Sequence, residues 1–232
     1  MVKCCCSVFR YLTFMMLVFP MTACNVVTEW MDKLGFDTYD YMQEAVTGTC
    51  DTTGETAQML MEMLEILTAS SANLSEFTNM SQAINAYRDS VLTYMLRTEY
   101  ARYSGNQTLI TEAIKEYPEY QITQIIPARE FEATMYRYFG GSVKISHKNG
   151  QVFRYLSKVN AYISSVTPVA GECEIILNTI EETEKTYRVY FAVDSGGDVV
   201  QEYFALVIKR EDGTHYFKQL SKYIPAAVLS EE

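Results

Sequence analysis

Histidine is nearly missing from this chain of 232 residues: His147 and His215 are the two it has. No His-Glu-x-x-His pair can therefore be written, and no zincin-type metal site. The chain also lacks a Gly-x-Ser-x-Gly elbow and a phosphate-cradling Gly-x-x-x-x-Gly-Lys loop, which removes the common nucleophile and nucleotide signatures. Basic residues are in deficit, with 19 Lys and Arg against 29 Asp and Glu. Nucleic acid is a poor partner for such a surface, because phosphate binding needs a basic stripe. No apolar run approaches the roughly twenty residues that cross a bilayer core. Low-complexity segments are missing too, and 48% of the chain is hydrophobic, so a packed globular body is expected.

What the sequence does carry begins at its N-terminus. Lys3 and Arg10 precede an uncharged stretch from Tyr11 to Pro20, which ends in Met21-Thr22-Ala23-Cys24. A positive start, a short apolar stretch and a small-residue site are the parts of a secretory signal. The small pair running into Cys24 resembles the lipobox of bacterial lipoproteins, with Met21 standing where Leu is usual. The resemblance implies cleavage before Cys24 and a diacylglyceryl thioether on its sulfur. Two acyl chains suffice for stable membrane attachment. The expected protein is thus lipid-anchored on the outer face of a bacterial membrane. Loss of residues 1–23 also takes two basic residues, so the net charge falls from −10 to −12.

Cysteine usage follows from that cleavage. Cys4, Cys5 and Cys6 leave with the signal, and Cys24 carries lipid. Cys50 and Cys173 remain as an even pair in an exported chain, where a disulfide is possible and two buried thiols are the alternative.

Three regions are expected: the signal (1–23), a helical region (24–118) and an α+β region (119–232), the last two able to form one compact unit. Val27, Trp30, Met31 and Leu34 recur at helical spacing directly after Cys24. Thr56 to Leu67 is dense in helix formers. A longer helix is expected from about Ser81 to Tyr103, its inward stripe being Ile84, Tyr87, Val91, Tyr94, Met95 and Leu96, and Gly105-Asn106 closing it. A shorter helix covers about Gln107 to Glu116. Pro127 opens another, over Ala128 to Phe139. Period-two runs then predict strands over Cys173–Leu177, Thr186–Val193, Val199–Ile208 and Thr214–Leu220. Ser195-Gly196-Gly197-Asp198 and Glu211-Asp212-Gly213 are their turns, so consecutive strands are antiparallel. The segment from Ser142 to Ile163 reads as strand or helix. The fold class is α+β: a helical region, then a helix packed on an antiparallel, curved sheet of four to six strands. In element order, residues 119–232 resemble the cystatin-like or nuclear-transport-factor-like cone. The phrase Ile126-Pro127-Ala128, Phe131 and Tyr138-Phe139-Gly140 resembles lipoproteins of Gram-positive gut bacteria, a likeness that brings no activity.

Candidate sites are sparse. His147 and His215 adjoin probable turns, where a solvated role is expected. Glu181, Glu182 and Glu184 gather at one bend, as solvated turn acids. Met59, Met61 and Met63 have the soft thioethers of copper(I) sites, but on a helix i and i+4 share a face while i+2 points away, and core packing accounts for them. The eighteen tyrosines are the one compositional excess. Tyr94, Tyr100 and Tyr103 gather near one helix end, and Tyr136 and Tyr138 near another. Such aromatics could line a ligand pocket between helix and sheet, or form an aromatic core. No cofactor and no metal are expected. The leading reading is a non-enzymatic lipoprotein that binds a peptide, a cell-wall component or an envelope protein. A small-molecule site in a tyrosine-lined pocket and a structural envelope spacer are the alternatives.

Overall fold

The computed structural model describes residues 40–141, 143–164, 173–197 and 200–224. The segment 1–23, Cys24 and Trp30 lie outside the described residues. The chain divides into two compact units after Met42, and the architecture below is that of the second.

Its elements are β1 (Gly48–Cys50), α1 (Glu55–Thr68), α2 (Met80–Thr98), α3 (Tyr100–Ser104), α4 (Gln107–Glu116), β2 (Gln124–Pro127), α5 (Ala128–Phe139), β3 (Arg154–Leu156), β4 (Ala161–Ser164), β5 (Glu174–Glu182), β6 (Thr186–Asp194), β7 (Gln201–Lys209) and β8 (His215–Lys222). One sheet runs in the order β1-β5-β6-β7-β8 and a second in the order β2-β4-β3. Every pairing is antiparallel. The fold is α+β.

Local chemistry sets the helix ends. The Asn79 side chain accepts a hydrogen bond from the Gln82 backbone N–H (3.1 Å) and fixes the start of α2; the Gln82 side chain in turn accepts from the Thr78 N–H (2.8 Å). Orphan donors at a helix start are satisfied in this way. The helix expected to reach Tyr103 breaks at Glu99, whose backbone sits at φ −127, ψ 36. Just before the break, the Thr98 hydroxyl donates back to the Tyr94 carbonyl (2.9 Å), competing with the backbone ladder. The chain restarts as α3. Gly105 closes α3 in right-handed geometry (φ −85); it is needed for space, since a Cβ would meet the Ala101 carbonyl at 2.6 Å. Gly140, after α5, is the conformational glycine: φ +66 and ψ −171 suit a residue without Cβ. The Arg210 guanidinium donates to the Tyr136 and Arg137 carbonyls (3.0 and 3.3 Å), placing positive charge at the negative end of α5.

The main core takes side chains from both the helical and the strand-rich segments. Leu60 and Leu64 of α1, Val91 and Leu96 of α2, and Phe131, Met135 and Phe139 of α5 meet Val189, Phe191, Tyr203 and Phe217 of the sheet. Phe139 lies edge-on to Phe77 (5.6 Å) and tilted on Phe217 (6.1 Å). These rings fill the space between α5 and the sheet. Phe204, Leu206 and Ile208, on the opposite face of β7, are buried as well. A smaller core joins Ile110 and Ala113 of α4 to Ile125, Leu156, Ala161 and Ile163 of the three-stranded sheet.

Strands β6, β7 and β8 form where the sequence places them, whereas β5 runs on from the expected end at Leu177 to Glu182, so that Glu181 and Glu182 lie in the strand rather than at the bend; Asp198 and Val199 lie outside the described residues. Two further features differ from expectation. The sheet gains β1 from the helical region, and residues 154–164 form β3 and β4, of which β4 pairs with Ile125 and Ile126 on one side and with β3 on the other. Each of these strands has three or four residues, too few for a period to show.

Candidate functional site

The structure separates the five tyrosines. Tyr94 and Tyr138 meet, their hydroxyls 3.4 Å apart and their rings edge-to-face at 6.0 Å. Burial pushes the Tyr94 phenol well above its usual range, and the bond to Tyr138 adds to this. Tyr103 is buried beside Glu130, its phenol raised first by burial and then by the Glu130 and Glu99 carboxylates. Arg102 spans the surface there, pairing with Glu99 and with Glu130. Tyr100 is exposed, and the Tyr136 hydroxyl donates to the Val143 carbonyl (3.0 Å). The expected tyrosine pocket between α5 and the sheet is replaced by packed rings, because α5 turns Phe131, Met135 and Phe139 inward. Tyr138 alone of the five borders the cleft described below.

Cys50 and Cys173 are free thiols. Cys50 pairs across the sheet with Ile180, while Cys173 precedes the first residue of β5. Seven residues of extended chain separate the two positions, about 23 Å at roughly 3.3 Å per residue, and a disulfide needs Cα atoms within about 7 Å. The sheet register therefore forbids the bridge. The Cys50 thiol contacts the Glu182 carboxylate at 3.7 Å; burial and that carboxylate push its pKa up. Glu182, expected as a solvated acid, pairs with Lys209 Nζ (2.5 Å), which holds the carboxyl below its usual range.

His147 is the larger surprise. Its side chain is 14% exposed and closes a network that the sequence did not announce. Nε2 lies 2.9 Å from Glu132 Oε1 on α5, and Nδ1 lies 3.0 Å from the Tyr162 hydroxyl on β4. The ring stacks on Tyr155 (4.8 Å), which is the cross-strand partner of Tyr162. A carboxylate accepts only, so the neutral ring donates from Nε2 and accepts at Nδ1. The Tyr162 hydroxyl donates to Nδ1, and its oxygen faces Arg88 and the Lys148 backbone N–H; burial nonetheless dominates and raises the phenol pKa. Arg88 donates to the Ser146 carbonyl (3.2 Å), and Asp89 accepts from the Gln151 N–H (2.6 Å). Order and spacing imitate a carboxylate–imidazole–hydroxyl relay, yet Tyr162 is fully buried and does not present its oxygen to solvent. The network clasps residues 146–151 onto α2 and α5. The Tyr155–Tyr162 pair was the one available signal, and it becomes visible only once β3 and β4 are paired.

Three of the surface clefts are of interest. One of about 360 Å³ lies where Asn106, Glu112 and Arg129 approach Asn160. A larger one, about 520 Å³, runs between residues 119–121 and 149–154; there Arg154 lies over the Tyr120 ring (4.6 Å), whose other neighbour is the stacked Tyr117 (6.1 Å). The third, about 220 Å³, is bordered by Met59, Glu62 and Met63 of α1, Arg137 and Tyr138 of α5, and His215 of β8. His215 is partly buried; desolvation first, then Lys209 and Arg210, hold its pKa below the usual value. Among the described residues no group of three or more His, Cys, Asp or Glu is placed to hold a metal ion, and no helix is long and apolar enough to cross a membrane. No family model, no curated protein and no solved structure matches the chain.

Proposed function

We propose that this protein is a lipid-anchored, extracytoplasmic lipoprotein that works by binding a peptide, a cell-wall component or an envelope protein. The observation that carries the reading is Met21-Thr22-Ala23-Cys24 at the end of a short apolar stretch behind Lys3 and Arg10. Lipid on Cys24 supplies the membrane attachment that an acidic surface would not, since anionic headgroups repel it. Binding rather than catalysis is favoured because, in the relay-like triad Glu132–His147–Tyr162, the terminal hydroxyl belongs to a fully buried tyrosine.

Metabolic labelling with a palmitate analogue in a bacterial host tests the anchor. The wild-type chain should be labelled and should sediment with membranes. The Cys24→Ala chain should lose the label. A Cys24→Ala protein that is still labelled, or a wild-type chain that never is, overturns the reading.

A further inference from the structure

We propose that the cleft between α1 and the β7–β8 hairpin is a copper(I) site, with the thioethers of Met59 and Met63 and the imidazole of His215 as its ligands. The argument starts from helix geometry. Residues four apart lie on one face, so Met59 and Met63 present their sulfurs on the same side of α1 while Met61 does not. Sequence alone made the methionines core, and Met63 does lie in the main core with Met59 packed against it. The fold supplies a third ligand from a segment more than 150 residues away: His215, the first residue of β8, borders the same cleft. Met63 is buried and Met59 half-buried, and both border the cleft together with His215.

The chemistry of the set selects the ion. Thioethers are soft and neutral and favour Cu(I), while imidazole accepts Cu and Zn alike. Among the described residues lining the cleft, no second histidine, cysteine or pair of carboxylates completes a zinc set, which takes Cys, His or Asp/Glu ligands. Lys209 and Arg210 stand near His215, and Arg137 borders the cleft. This positive surrounding disfavours a divalent ion more than a monovalent one, and Glu62 at the rim offsets part of it. Tyr138, with its hydroxyl beside that of Tyr94, closes the inner wall.

The test is an anaerobic titration of the folded protein with Cu(I) under ascorbate, competed against a chromophoric Cu(I) chelator. One ion should bind per chain. Cys50→Ser/Cys173→Ser should bind equally well, which separates this site from the two thiols. Losing a second-shell partner already weakens a metal site about 10–100-fold, so Met59→Leu, Met63→Leu and His215→Asn should each weaken binding by at least about tenfold. Their circular dichroism spectra should be unchanged. X-ray absorption of the complex should show sulfur and nitrogen neighbours together. Three results would overturn the assignment: no competition with the chelator, binding unaffected by all three variants, or binding that disappears with the cysteines. The site does not depend on the lipid anchor, so failure of either proposal leaves the other standing.

Discussion

Replacing Tyr162 by Phe removes one oxygen from a buried point where three polar groups converge. His147 Nδ1 loses its donor, and Arg88 and the Lys148 N–H lose the oxygen they face. Arg88 is already short of partners, since its buried Nε makes no hydrogen bond. Phe131 (5.0 Å), Tyr155 (5.2 Å) and the His147 ring (5.7 Å) pack around the Tyr162 ring, and the residue is fully buried. A buried polar group left unpaired costs about 1–3 kcal/mol, and three are affected while the shape is kept. A loss of about 2–4 kcal/mol is expected, since partial relaxation will spare some of the three. For a unit of this size, about 2–4 °C of Tm goes with each kcal/mol. Urea unfolding of wild type and Tyr162→Phe should show a lower midpoint at an unchanged m-value. His147→Leu should be destabilised by a similar amount, and the double variant by clearly less than the sum, with a coupling of about 0.5–3 kcal/mol. A loss under about 0.5 kcal/mol, or strict additivity, would refute the view of this network as a closed clasp.

Other outcomes follow from single positions. Gly140→Ala forces a Cβ into a backbone region open to glycine almost alone and within 2.5 Å of the Tyr216 ring; strain of this kind costs about 1–3 kcal/mol, and thermal melting will read it. Gly150→Ala would put a methyl 1.9 Å from Asp89 Oδ1; the Asp89–Gln151 bond should open, seen as faster amide exchange at Gln151. His215 titrates below its ordinary value in the folded state, so unfolding takes up a proton: its contribution is complete above about pH 6.5 and is lost as the pH falls through that value. His215→Asn should therefore flatten the stability curve just below pH 6.5. Alkylation of the unreduced, denatured body from residue 25 onward should add two adducts, on Cys50 and Cys173; a mass showing none would restore the disulfide.

How much of this was legible depended on the length of each pattern. The 14 residues of α1 and the nine of β6 and of β7 carry several periods each, and local propensity and burial agree along them. Strands β6, β7 and β8 were legible for that reason, and so were four of the helices to within a few residues, while β5 ran five residues past its expected end at Leu177. The break at Glu99 was not, because Thr98 competes with the helix through a hydrogen bond that composition does not display. Strands β1 to β4 were hidden by brevity.

The candidate sites divide along a similar line. Cys24 is a reading of contiguous residues, and the sequence alone supports it. The same holds for fold class, acidity and the shared face of Met59 and Met63, all of which depend on neighbours in the chain or on totals. Tertiary structure alone decided that Cys50 and Cys173 stay apart, that the tyrosines disperse, and that His147 joins Glu132 to Tyr162. It also brought His215 to the methionines. These are distances between segments far apart in sequence. They are set by the register of the sheets and by the faces that α1 and α5 bury, and no local pattern encodes them.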